Sequence, residues 1–194
     1  MRKIYMFDMT TLDGFFEGPQ KEIDWHNVDK EFNEFTEHQL NETDIILFGR
    51  VTYELMARYW PTEYAIKNDP IIADKMNVIP KIVFSKTLEK ADWNNTRLIK
   101  ENIAGEVSQL KHQPGKDIAL FGSSNLAATM IQLELIDEYR MMINPVILGS
   151  GTSVFHGMSS RHDLKLIKIK VFHSGNILLY YQPDRKEQLS LPWV

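Results

Sequence analysis

Apolar and polar positions along the chain switch between two periods, and the switches mark the elements. Residues 3–9 are apolar and aromatic and run into Thr10-Thr11-Leu12-Asp13-Gly14, the pattern of a strand ending in a turn. Val28, Phe32, Phe35 and Leu40 then recur at near-helical spacing with Glu31, Glu34 and Glu37 between them, which predicts an amphipathic helix. The unbroken run Ile45-Ile46-Leu47-Phe48 predicts a strand covered on both faces. Gly49-Arg50 ends it, and Val51, Leu55, Met56 and Tyr59 continue at helical spacing until Pro61 stops them.

Residues 62–80 read as irregular, with one short helix around 71–76. Strands are predicted at 81–85 and 97–99, followed by a helix marked by Ile103, Val107 and Leu110 and closed by Pro114-Gly115. Ile118-Ala119-Leu120-Phe121 is a second buried strand and breaks at Gly122-Ser123-Ser124 into a helix over 125–133. A long strand over 138–148 is interrupted near Asn144-Pro145, and residues 164–172 and 177–182 flank the hairpin signal His173-Ser174-Gly175-Asn176. Strands alternating with helices and closing on a hairpin imply an α/β domain with a mainly parallel sheet and an antiparallel edge. Such sheets bind ligands at the carboxyl ends of their strands, so Thr10 to Gly14, Gly49 to Thr52, Ser85-Lys86 and Gly122 to Leu126 are expected on one rim.

Composition narrows the function. The 194 residues suit a single domain spanning 1–194, and 43% hydrophobic with 25% charged residues is ordinary for a globular protein. No apolar run approaches the roughly 18 residues of a membrane span, and Met1-Arg2-Lys3 precedes an apolar stretch too short for a secretory signal, so a cytoplasmic protein is expected. The absence of cysteine excludes disulfides, thiolate metal sites and cysteine nucleophiles. Six histidines form no i, i+4 pair, so they read as surface residues and no metal site is expected. A net charge of -4 argues against nucleic acid as partner, although residues 161–186 lean basic through Lys165, Lys168, Lys170, Arg185 and Lys186.

At Phe48-Gly49-Arg50-Val51-Thr52 a buried strand delivers the chain to a helix start, where free backbone N–H groups and the positive dipole end favour an anion. Phosphate or pyrophosphate is the natural ligand, with Arg50 adding charge and Thr52 a hydroxyl; the segment reads equally well as a tight turn beside a solvated arginine. Gly122-Ser123-Ser124-Asn125-Leu126 repeats the arrangement with small side chains, and two such breaks on one rim suit a dinucleotide. Ser85-Lys86 could add a third contact, to the 2′-phosphate that distinguishes NADPH from NADH, and read alone Lys86 is a surface lysine. Gly149-Ser150-Gly151-Thr152-Ser153-Val154 starts like GxGxxG but lacks the last glycine, and Pro114-Gly115-Lys116-Asp117 is a turn and no P-loop. For substrate chemistry, Asp13, Asp24, Trp25 and Tyr53 are the candidates, a carboxylate beside aromatic rings that could orient or protonate a heterocycle; Asp24 as a surface residue and Trp25 as core are the competing readings.

In this order, Thr11-Leu12-Asp13-Gly14-Phe15, Asp24-Trp25, Gly49-Arg50-Val51-Thr52-Tyr53-Glu54, Val83-Phe84-Ser85-Lys86-Thr87-Leu88, Phe121-Gly122-Ser123-Ser124-Asn125-Leu126 and Asn144-Pro145-Val146-Ile147-Leu148-Gly149-Ser150-Gly151 resemble a known family along nearly the whole chain. It is the dihydrofolate reductase-like superfamily, specifically the small bacterial proteins similar to the reductase domain of the riboflavin-biosynthesis deaminase-reductase. The resemblance implies a three-layer α/β/α sandwich on a mixed sheet, NADPH as cofactor, and frequent pairing as a homodimer. It also implies roles: Gly49, Arg50, Val51 and Thr52 at the pyrophosphate, Ser85 and Lys86 at the adenosine ribose and its phosphate, Gly122 to Leu126 at the central phosphates and ribose, and Thr10, Thr11, Leu12 and Asp13 near the nicotinamide. The sequence departs from dihydrofolate reductases in carrying Gly122-Ser123 where they have a glycine pair. No motif fixes a substrate carboxylate on the first helix, where Glu31 and Glu34 are available, so no catalytic residue is assigned.

Two functions from different classes follow. One is an NADPH-dependent oxidoreductase, akin to 5-amino-6-(5-phosphoribosylamino)uracil reductase, that gives hydride to a C=N or C=O bond of a small pterin- or pyrimidine-like molecule. The other is a silent NADP-binding module that acts as a sensor or assembly partner. A homodimer whose rim is only topological is a third. The hairpin positions Ile167, Ile169, Val171, Ile177 and Leu179 read either as a dimer face or as core.

Overall fold

The computed structural model describes residues 1–184; Arg185 and Lys186 of the basic stretch lie outside them. One eight-stranded sheet organises the chain, in the order β5 (Thr96–Ile99), β4 (Lys81–Phe84), β3 (Thr43–Gly49), β6 (Asp117–Leu120), β1 (Ile4–Thr11), β7 (Glu138–Asn144), β10 (Ile177–Pro183), β9 (Leu164–Val171), while β2 (Phe15–Glu17) and β8 (Thr152–Ser153) pair apart from it. The first six strands are parallel, and β10 and β9 each run antiparallel to the strand before them.

The period of two in the strands divides the core. Ile4 and Met6 of β1 pack with Val107 and Leu110 of α5 (Ile103–His112) and with Leu126, Ala127 and Met130 of α6 (Ser124–Gln132). Tyr5, between them, faces the other layer with Leu40 of α1 (Lys30–Asn41), Tyr53 of α2 (Arg50–Tyr59) and Ile72 and Met76 of α4 (Pro70–Val78). Helices therefore cover both faces of the sheet, as a three-layer α/β/α sandwich requires. The end of α1 nearest β10 joins a third cluster, in which Phe32 packs with Met9, Met142, Phe172 and Leu178.

Two differences from the sequence reading have local causes. Residues 62–80 hold two helices, because Thr62 caps α3 (Glu63–Asn68) by accepting from Ala65 N and Pro70 occupies the first turn of α4, where its missing N–H costs nothing. Strand β7 stops at Asn144, since Pro145 cannot donate to the ladder. Among the described residues no helix is long and apolar enough to cross a membrane.

Helix α1 starts where Asp29 Oδ1 accepts from Phe32 N at 2.8 Å. Asp29→Ala is expected to lower stability by about 1 kcal/mol, the usual worth of such a cap, as measured by urea denaturation.

Candidate functional site

All four sequence breaks lie at carboxyl ends of the neighbouring parallel strands β4, β3, β6 and β1: Ser85-Lys86 after β4, Gly49-Arg50 after β3, Gly122 to Leu126 after β6, and Thr10 to Gly14 at the end of β1. Gly49 N donates to Gly122 O at 3.1 Å, which ties β3 to β6 where each opens into a helix. A side chain has no room at either glycine: a Cβ on Gly49 would strike Ser123 Oγ, and one on Gly122, whose φ is +60°, would lie 2.9 Å from Thr52 Oγ1. The Gly122-Ser123 peptide is cis.

Helices α1, α3 and α5 begin with side-chain caps from Asp29, Thr62 and Asn102, whereas α2 and α6 begin at Gly49 and Ser123 with none. Their first N–H groups are thus left for another acceptor, with both positive dipole ends alongside. A single cleft of about 750 Å³ opens there, lined at these helix starts by Val51, Thr52, Gly122, Ser123, Ser124 and Asn125.

The other expected site residues are placed differently. Arg50 is exposed and pairs with Glu54 at 3.2 Å across one helical turn, and Leu126 is buried in the core behind the rim. Ser85 Oγ accepts from Leu88 N at 2.9 Å and so shapes the turn that carries exposed Lys86. Thr10 and Thr11 are buried and Leu12 is exposed. Asp13 is occupied structurally: it accepts from Thr11 Oγ1 at 2.6 Å and from Leu148 N and Gly149 N at 3.3 and 2.8 Å, bonds that hold its carboxyl below the usual carboxylate range. The glycine-rich loop that begins like GxGxxG is thereby tied to the end of β1.

Of the substrate candidates, Tyr53 is corrected outright. It is 4% exposed, packs on Phe48 and Trp93, and its hydroxyl accepts from Trp93 N at 3.0 Å, so its helix face turns into the core and away from the cleft. Asp24 is exposed and Trp25 is half-buried, its ring set edge-on against His26 with centroids 4.5 Å apart. Their loop is fixed at Asn27, whose N donates to Asn144 Oδ1 at 2.9 Å and whose carbonyl accepts from Asn176 Nδ2 at 2.9 Å. Neither helix acid enters the cleft: Glu31 accepts from His173 N and Nδ1, and Glu34 pairs with Lys30 at 3.5 Å.

Two groups lining the cleft were not read from the sequence. His26, taken with the other histidines as a surface residue, is half-buried with Nε2 shut off from solvent and without a partner, and burial pushes its pKa down to about 4. Asp8 lies in β1 with Oδ2 enclosed and unpartnered, and burial pushes its carboxyl up to about 7. Its Oδ1 is 3.7 Å from where a Cβ of Gly122 would stand, which puts the carboxyl beside the β6 break. The available signal was an acid inside an otherwise apolar strand, Ile4-Tyr5-Met6-Phe7-Asp8-Met9.

Because folding raises the Asp8 pKa to about 7, the folded chain holds a proton there that the unfolded chain gives up, so this group costs stability as pH rises from about 4 through about 7. Asp8→Asn is expected to be more stable than the parent by on the order of 2–4 kcal/mol above neutral pH, a gain that vanishes near pH 4. Urea melts across that range check it.

Comparison with known proteins matches this architecture. The model of the RibD C-terminal domain family matches residues 2–178. The uncharacterized protein YyaP of Bacillus subtilis (strain 168) is 38% identical over 180 residues, 93% of this chain and 94% of that protein. Among solved structures, a candidate riboflavin biosynthesis protein from Shewanella sp. PV-4 superposes with a TM-score of 0.71 at 21% identity, covering 94% of this chain and 99% of the other. The deaminase/5-amino-6-(5-phosphoribosylamino)uracil reductase of Thermotoga maritima does so with 0.67 at 15%, covering 94% and 56%. The dihydrofolate reductase of Enterococcus faecalis complexed with NADP(H) gives 0.61 at 11%, covering 94% and 96%. A parallel-centred sandwich with glycine breaks on one rim and a family match along almost its whole length place this chain in the RibD C-terminal domain family.

Proposed function

We propose that this protein is an NADPH-dependent reductase that delivers hydride to a C=N or C=O bond of a small heterocyclic molecule. The observation that carries the reading is the pair of helix starts, α2 and α6, uncapped by side chains and opening into one cleft. A pyrophosphate bridging them would accept from N–H groups of both helices, and the fit extends to size, because glycines at 49 and 122 let the two chain segments close to hydrogen-bond distance. Val51, Thr52 and Ser123 to Asn125 would hold the central phosphates. Arg50 would reach the pyrophosphate by leaving Glu54, and Lys86 with Ser85 would lie by the adenosine 2′-phosphate. Thr10 to Asp13 would border the nicotinamide through their backbone, since the Asp13 carboxylate is already engaged.

When bound, the cofactor supplies the hydride; orientation and exclusion of water fall to the chain. Asp8 would keep a proton at its carboxyl near neutral pH beside the rim. The silent-module reading would leave the same cofactor site without turnover. A homodimer is also proposed, because the edge strand β9 exposes Leu166, Ile167, Ile169 and Val171, apolar positions interspersed with Lys168 and Lys170 that a second copy would cover. Light scattering of the purified protein is expected to give twice the mass of the chain, and Ile169→Lys to shift it to the single-chain mass.

Titration with NADPH and NADH, followed by tryptophan quenching and calorimetry, tests the cofactor. NADPH is expected to saturate and to bind more tightly than NADH. Arg50→Ala is expected to weaken both by about 1.5–3 kcal/mol, and Lys86→Ala to remove most of the preference for NADPH. Equal losses for both cofactors in Lys86→Ala would take that residue away from the 2′-phosphate, and binding of neither cofactor would end the reductase reading.

A further inference from the structure

The contacts proposed for the cofactor make no use of Asp8. This residue sits in β1 between β6 and β7, and the alternation of the strand puts its side chain on the face of Ile4 and Met6, toward α6. It is half-buried and lines the cleft, with Oδ2 enclosed and unpartnered and Oδ1 beside Gly122, 3.7 Å from where a Cβ of that glycine would stand.

Strand order decides which end of a dinucleotide comes to Asp8. The rim runs β4, β3, β6, β1, with neighbouring strands about 4.8 Å apart. A pyrophosphate bridging the starts of α2 and α6 stands over β3 and β6, and an adenosine phosphate at Lys86 stands over β4. The other half of the molecule then leaves the pyrophosphate on the opposite side, over β1. That half ends in the nicotinamide, the part whose charge changes with oxidation state: the ring is neutral in NADPH and carries one positive charge in NADP+.

Few other groups are placed to answer that charge. Helix α6, which covers this face of β1, holds no ionisable residue. On α2, Thr52 is the residue beside Gly122, and Arg50 is exposed and paired with Glu54. Glu138 and Arg140 of β7 pair with Tyr5 and Phe7 and so lie on the opposite face of the sheet. Elsewhere in the cleft, among the described residues, the titratable lining groups are Glu17, Lys21, His26, Asp69, His156 and Tyr59. Glu17 accepts from Thr152 Oγ1 at 2.9 Å, and burial pushes His26 down to about 4, which keeps it neutral. Burial alone raises the Asp8 carboxyl, to about 7. An acid poised there is readily tipped by one added charge, because Coulomb interactions act through a low-dielectric wall without direct contact.

We propose that Asp8 reads the oxidation state of the cofactor: it keeps its proton beside NADPH and releases it to solvent beside NADP+, so that a carboxylate faces the cationic ring. The inference rests on the reductase reading and deepens it. A positive ring lowers the pKa of the carboxyl and a neutral one does not, so NADP+ releases more protons on binding than NADPH, and its relative affinity rises as pH passes through neutrality.

Calorimetry of the full chain with NADP+ and with NADPH, in phosphate and in Tris buffers between about pH 6 and about pH 8.5, counts the protons exchanged. Protonation of the 2′-phosphate is common to both forms and cancels in their difference. Near about pH 7 NADP+ is expected to release about half a proton more than NADPH. Across the range the affinity for NADP+ relative to NADPH is expected to rise toward about tenfold, the effect of a carboxyl pKa moved by roughly one unit. Asp8→Asn is expected to equalise the proton counts and flatten the affinity ratio, while its NADPH affinity at the acid end, the check that it is folded, stays as in the parent. Glu17→Gln and His156→Asn are expected to keep the parent's difference.

Equal proton counts for the two forms in the parent, fewer protons released with NADP+, or a difference that survives Asp8→Asn would overturn the inference and leave the cofactor reading standing. A difference lost in Glu17→Gln or His156→Asn would overturn it too, by moving the titration to that residue. Were Asp8→Asn not to bind NADPH, a parent difference kept in both other variants would support Asp8, and equal parent counts would exclude it. Binding of neither form would overturn the inference and the reading beneath it together.

Discussion

Everything at the candidate site depends on the closure of β3 against β6 at their carboxyl ends. The two strands are parallel neighbours, so the helices that follow them start side by side, and the bond from Gly49 N to Gly122 O fixes how closely. With any larger residue at 49 the chain would collide with Ser123, and at 122 with Thr52. The outcome is two sets of backbone N–H groups aimed at one cleft without side-chain caps, whereas α1, α3 and α5 spend theirs on their own caps and α4, also uncapped, has Pro70 in its first turn. An anion that spans both starts is the simplest partner for such an arrangement, and it explains why small residues follow β6 where a packing argument alone would favour larger ones.

The cleft beyond that point differs in chemical character. Glu17, Lys21 and Asp69 are its charged lining groups besides Asp8, which is pushed toward neutrality by its own burial. One end therefore favours negative charge through fixed dipoles, while the other carries more acid than base. That division suits a protein that must hold a charged cofactor at one end, with the loop carrying Trp25 and His26 pinned through Asn27 to Asn144 and Asn176.

Most of the fold was legible because each long element satisfies one period along its whole length. The buried runs at 45–48 and 118–121, the helix carrying Phe32 and Leu40, and the hairpin around Gly175 all lie where their patterns place them. Helix α3 was missed because Glu63 to Asn68 is too short and too exposed to show a periodic face. The rim was legible through glycine, since a strand that breaks at glycine into a helix leaves a local mark. The rest of the site was not, because it depends on which face of a helix meets the cleft. Tyr53 and Thr52 are adjacent in sequence and one turns into the core while the other lines the cleft. Asp13 looked like chemistry and is spent on holding the loop at Gly149. Asp8 and His26 acquire their character only from burial, which no local pattern reports.

The most direct measurement of the central claim is hydrogen exchange of the backbone amides with and without saturating NADPH. The account expects added protection to fall together on the first turns of α2 and α6, at residues 50–52 and 123–125, because those N–H groups are the ones the phosphates would engage. Saturable NADPH binding that leaves both turns exchanging at their free rates, or protects only one of them, would contradict it.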